Sequence, residues 1–138
     1  MSITRKIVEG KSRTGILPRY IGNQFMHFEQ MIYGYANHFV EGYQGGFWKF
    51  YSLSNEGFYM SLDSDKEFTF ANPDNYFSES MDADTMSIII NLYVYNHLAF
   101  KYEHQNSVAS ARFTKLYLHL NDYATEHPNA ATIFRAID

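Results

Sequence analysis

The stretch "GGFWKFYSLSNEGFYMS", Gly45 to Ser61, decides the fold class. Seven of its seventeen residues are Phe, Tyr, Trp or Met, and they alternate with polar ones. Phe47, Lys49, Tyr51 and Leu53 fall on one side of a strand, and Trp48, Phe50 and Ser52 on the other. Asn55-Glu56-Gly57 supplies a turn, with Gly57 expected to take the positive φ that side chains resist. Phe58 to Ser61 returns as a second strand, and "KEFTFA", Lys66 to Ala71, alternates again as a third. The expectation is a small antiparallel β-meander of about three strands.

Helical periods flank this meander. From Asn23, a candidate N-cap, the residues Phe25, Phe28, Ile32, Tyr35, Ala36 and Phe39 recur at three- and four-residue steps. Gly42, Gly45 and Gly46 close that helix. After the break at Asn72-Pro73-Asp74, Ser80 reads as an N-cap, with Asp82 and Asp84 suited to the positive end of a helix dipole. The helix from Met81 to about Glu103 is apolar on most sides, which predicts a central, buried position. A third helix starts near Ser107, with Phe113, Leu116, Tyr117, Leu120, Tyr123 and Ala124 as its stripe, and stops at Pro128. "NAATIFRAID" closes the chain as a short helix or docked tail. Residues 1–22, punctuated by Gly15, Pro18 and Gly22, read as irregular, with at most a short strand or turn. The fold class is α+β, with three main α-helices on one face of the sheet and one domain spanning residues 1–138.

Composition narrows the chemistry. The chain has 138 residues, 18% of them aromatic, and no cysteine, which excludes disulfides, thiol catalysis and Cys-ligated zinc. No apolar run has the length of a signal peptide or a membrane span, so a cytoplasmic protein without membrane contact is expected. Net charge is −4. The N-terminal twenty residues are nevertheless basic, with Arg5, Lys6, Lys11, Arg13 and Arg19 against Glu9. Residues 61–84 carry seven carboxylates against Lys66. Such polarity steers partners. The charge is far too small to copy duplex DNA, which carries a phosphate about every 1.7 Å.

The six histidines include no pair three or four apart and no HExxH, so no metal site is expected. Nucleophile elbows, dinucleotide fingerprints and P-loops are absent from the sequence. The expectation is a non-enzymatic protein without a cofactor. One binding alternative remains: a nucleic-acid module stacking bases on Phe47, Tyr51 and Tyr59 with Lys49 and the basic N-terminus nearby. Net acidity weighs against direct DNA binding, and the demand for an apolar sheet face accounts for half of these aromatics.

Three blocks resemble the ArdB/KlcA antirestriction family. "GGFWKFYSLSNEGFYM" is similar to its Gly-Gly-Phe-Trp-x-Phe-Tyr-x-Leu-Ser-Asn-Gly-Gly-Phe-Tyr signature. "ILPRYIGNQFMHFEQMIYGY" resembles its Leu-Pro-Arg-aromatic-x-Gly entry to the first helix. "YATEHPNAATIFRAID" resembles its C-terminal His-Pro-x-Ala block. Glu56 departs from the pattern, standing where the family more often has Gly. The resemblance implies a small cytoplasmic α+β protein, carried on plasmids and other mobile elements. It implies protection of incoming DNA from host type I restriction–modification machinery, directly or indirectly, without enzymatic activity. Matched positions include Trp48, expected in the core, and His127, Pro128, Arg135 and Asp138. The candidate contact surface is Lys49, Tyr51 and Tyr59 on the sheet with Arg135 and Asp138 at the C-terminal end. The competing role for Arg135 is a carboxylate pair that docks the tail.

Overall fold

The computed structural model describes residues 2–138. Its order is β1 (Arg5–Val8), α1 (Ile16–Ile21), α2 (Phe25–Phe39), β2 (Trp48–Leu53), β3 (Phe58–Leu62), β4 (Glu67–Asn72), β5 (Phe77–Asp82), α3 (Ala83–Tyr102), α4 (Ser107–Thr125) and α5 (Ala130–Ile137). The class is α+β, as the alternating and helical periods predict. The buried apolar side chains form one cluster reaching from Val8 to Ala136.

The sheet differs from the expected meander. One antiparallel sheet has the order β1-β2-β3, and β4 pairs with β5 in a separate hairpin. The place of a fourth strand beside β3 is taken by α3. This helix is apolar nearly all round, but Ser87, Asn91 and Tyr95 form a buried polar stripe at four-residue steps. Their side chains bond the strand edge. Asn91 Oδ1 accepts from the Met60 N–H at 3.2 Å, and Asn91 Nδ2 donates to the Met60 carbonyl at 2.8 Å. Ser87 Oγ accepts from the Leu62 N–H at 2.9 Å, and the Tyr95 hydroxyl donates to the Phe58 carbonyl at 2.6 Å. Buried backbone groups must find partners, and here helix side chains supply what a strand would have supplied.

Two elements went unread in the sequence. The helix α1 contains Pro18, but at its third position, where no intrahelical N–H is needed. Ile16, Leu17 and Ile21 bury its inner side. The strand β5 places Phe77 and Met81 inward and leaves Ser78, Ser80 and Asp82 exposed. Ser80 is therefore a strand residue. The N-cap of α3 is Asp82, which accepts from the Thr85 N–H at 2.8 Å. Asn23 does not cap α2 either: Gln24 holds that position without a side-chain bond.

The tight turn between β2 and β3 also corrects an expectation. The left-handed residue is Glu56, at φ 70°, and Gly57 is not left-handed. Gly57 is glycine because α4 comes close: a Cβ there would lie 2.9 Å from His119 Cβ and 3.0 Å from Leu53 Cδ1. Asn55 fastens the turn by accepting from the Gly57 N–H and donating to the His119 carbonyl. Thermal melts of two variants check this. Glu56→Gly relieves left-handed strain and gains up to about 1 kcal/mol. Gly57→Ala overpacks the contact with α4 and loses about 2 kcal/mol.

The aromatic surplus is mostly core. Trp48 is buried and donates from Nε1 to the Tyr43 hydroxyl at 3.1 Å. Phe28 stacks on Tyr95 at 5.3 Å, and Phe39 stacks on Phe70 at 5.4 Å. Such offset pairs add to the area they remove from water.

Candidate functional site

Asp84, in the first turn of α3, gathers the polar groups of four elements. Its Oδ1 accepts from Arg5 Nη1 at 2.9 Å, the Tyr59 hydroxyl at 2.8 Å and the Ser61 hydroxyl at 3.1 Å. Its Oδ2 faces His127 Nε2 at 3.0 Å. His127 Nδ1 accepts from the Asn129 N–H at 3.0 Å, which places the ring proton on Nε2, where it donates to Asp84. Asn129 in turn donates to Thr85 Oγ1 at 2.9 Å. A single carboxylate thus ties β1, β3, the start of α3 and the turn between α4 and α5.

Electrostatics agree with that role. Burial pushes the Asp84 carboxyl up, but the His127 hydrogen bond, the Arg5 charge and the Tyr59 hydroxyl outweigh it and bring it down to about 2. Burial and the neighbouring carboxylate drive the Tyr59 hydroxyl upward, so it stays a donor. Both nitrogens of His127 are committed, and Ser61, 1% exposed, donates to Asp84. The cluster holds the fold together; it leaves no base facing an exposed nucleophile.

The sheet half of the expected contact surface sits directly beside this cluster. Tyr51 stacks on Tyr59 at 5.3 Å, and the Arg5 guanidinium lies 4.2 Å above the Tyr51 ring. Lys49 lies 5.7 Å from that ring and 3.6 Å from Asp63. Tyr59 is 0% exposed and Tyr51 7%. Neither ring is a surface, because Arg5 of β1 lies over Tyr51 and Tyr123 of α4 packs against Tyr59 on the face that strand alternation alone left open. Base stacking on them is ruled out for the same reason. Phe47 is 59% exposed, but Arg13 lies 4.7 Å over its ring.

The C-terminal half lies elsewhere, on α5 against β5. Arg135 grips Glu79 with two bonds, Nη2 at 2.8 Å and Nε at 3.0 Å, as the tail-docking alternative requires. Asn75 Nδ2 donates to the carbonyls of Ala136 and Asp138, and the Tyr93 hydroxyl also donates to Ala136. The Asp138 main chain is thereby pinned while its side chain stays at the surface.

Two other histidines serve as local partners. His97 Nδ1 lies 3.1 Å from the Tyr35 hydroxyl, and His27 Nδ1 lies 3.0 Å from the Tyr102 hydroxyl. Among the described residues, no three His, Asp or Glu side chains are placed to hold a metal ion. No helix among them is long and apolar enough to cross a membrane.

Sequence reasoning missed the centre of this arrangement. Asp84 was visible only as an acid at a helix start. Arg5 was visible only as part of a basic segment. His127 carried a signal, because it opens the block that resembles a family motif.

The comparisons decide which family. The family model described as "Antirestriction protein" matches residues 41–138. The chain belongs to the antirestriction protein family. The antirestriction protein KlcA of Escherichia coli is 34% identical over 129 residues, covering 91% of this chain and 87% of its own. The putative antirestriction protein YubI of Escherichia coli K12 is 33% identical over 135 residues, covering 95% and 93%. A solved structure superposes with a TM-score of 0.91 at 31% identity, covering 100% of this chain and 96% of that one. It comes from work on KlcA and ArdB that reports a novel fold and antirestriction activity against Type I DNA restriction systems in vivo but not in vitro. Within the antirestriction match lie Tyr59, Ser61, Asp84 and His127, whereas Arg5 lies before it.

Proposed function

We propose that this chain protects incoming mobile-element DNA from host type I restriction–modification systems. It acts in the cytoplasm through contact with a protein, neither as an enzyme nor as a copy of DNA. The observation that carries this reading is the end-to-end superposition on the KlcA and ArdB fold, at a TM-score of 0.91. An activity found in vivo and not in vitro fits a mechanism that needs a further cellular component. The commitment of both His127 nitrogens supports a non-catalytic role. A net charge of −4 supports a mechanism other than DNA mimicry.

The test is uptake of unmodified plasmid DNA by a host with a type I system, with and without the chain expressed. Transformation rises by at least about tenfold when it is present. An unchanged yield, with the protein soluble and folded, overturns the proposal.

A further inference from the structure

A groove of about 480 Å³ opens between α1 and α4, and none of its lining residues belongs to the Asp84 cluster. Its rim is basic. Arg19 comes from α1, and Arg112 and Lys115 come from α4. All three are exposed, and among the described residues none lies within ion-pair distance of a carboxylate. In a chain of net charge −4, three unneutralised cations around one concavity call for an anionic occupant. Glu56 is the single acid lining it.

The floor is apolar. Tyr20 and Leu116 form it, and Val108, 74% exposed, stands at its edge. Val108, Arg112 and Lys115 follow one another at helical steps, so α4 presents an apolar residue and two cations on one stripe. Arg112 also donates to the Arg19 and Tyr20 carbonyls at 3.4 Å and lies against Gly22, which fixes the two walls relative to each other. A neighbouring depression shares Arg19 and Tyr20, but Glu9 stands there with Lys6, so the excess of positive charge belongs to the α1–α4 groove.

A phosphate backbone would use the cations and leave the apolar floor wet. A protein segment with carboxylates around an apolar side chain would use both. We infer that the α1–α4 groove docks an acidic, apolar-anchored segment of the protein through which this chain opposes restriction. This inference rests on the antirestriction reading.

The test uses Arg19→Glu together with Lys115→Glu, which leaves Arg112 and its carbonyl contacts in place, and Val108→Ser separately. Circular dichroism verifies folding of each variant. The probes are a short fluorescein-labelled peptide of Asp and Glu around a central Leu pair, and a DNA duplex of matched charge, both followed by anisotropy. The wild-type chain binds the peptide in preference to the duplex. The double charge reversal weakens peptide binding by at least about tenfold, and Val108→Ser weakens it several-fold. In the transformation assay the double variant loses protection. Failure of the wild-type chain to bind the peptide, or equal binding by the variants, overturns the groove. Preference for the duplex overturns it in favour of nucleic acid. Protection by wild type and double variant alike overturns the groove and leaves the antirestriction reading standing. Absence of protection by the wild type removes that reading instead.

Discussion

Replacing Asn91 with Leu lowers unfolding stability by about 3–4 kcal/mol, because it strips partners from two buried backbone groups at once. Asn91 is 0% exposed, and its amide holds both the N–H and the carbonyl of Met60. Leu has a similar volume, so little of the loss comes from a cavity. Each orphaned group costs about 1–3 kcal/mol. Asn91→Ala adds a cavity and loses more. Ser87→Ala removes one bond, to the Leu62 N–H, and loses about 1–2 kcal/mol. Urea unfolding reads these values from the midpoint at unchanged m. For a domain of this size the Asn91 effect is a large part of the whole stability. A loss below about 1 kcal/mol would mean that α3 does not stand in for the missing strand.

Asp84→Asn costs about 2–3 kcal/mol at neutral pH and also changes the shape of the acid limb. An amide can turn its oxygen toward Arg5, Tyr59 and Ser61, but its NH₂ then meets the donating Nε2 of His127. Two donors face each other, and Arg5 loses its counter-charge. In the wild type, the Asp84 carboxyl falls from about 3.9 in an unfolded chain to about 2 in the folded one. The stability from this depression is fully present above pH 4 and is lost as pH falls through 2. It amounts to about 2–3 kcal/mol. Asp84→Asn has no such group, so the gap between the two proteins narrows as the pH falls from 5 to 2. Urea midpoints across that range measure the narrowing. Parallel profiles would show that Asp84 titrates as an ordinary surface acid.

Local pattern made most helices readable. Phe28, Ile32 and Ala36 in α2, and Phe113, Leu116, Leu120 and Ala124 in α4, are buried at the steps their spacing requires. The strand pairing of β2 with β3 followed from alternation and a tight turn. The partner of β3 on its far side did not follow. The sequence shows this helix only as apolar on most sides, and three-dimensional proximity alone turns Ser87, Asn91 and Tyr95 into a strand edge. The same limit applied to the surface. Alternation put Tyr51 and Tyr59 on an open face, and a cation from β1, remote in sequence but adjacent in the sheet, closed it. The Arg135 motif was legible as a pair seeking a carboxylate, but its partner Glu79 lies 56 residues away on a strand the sequence did not declare.

The proposed function is opposition to type I restriction in the cell. The most direct measurement is the plating efficiency of unmodified phage on isogenic hosts with a type I system, a type II system or neither, with and without the chain expressed. Plating rises tenfold or more on the type I host and does not change on the other two. Equal plating on the type I host with and without folded protein, or equal rescue against the type II system, would contradict it.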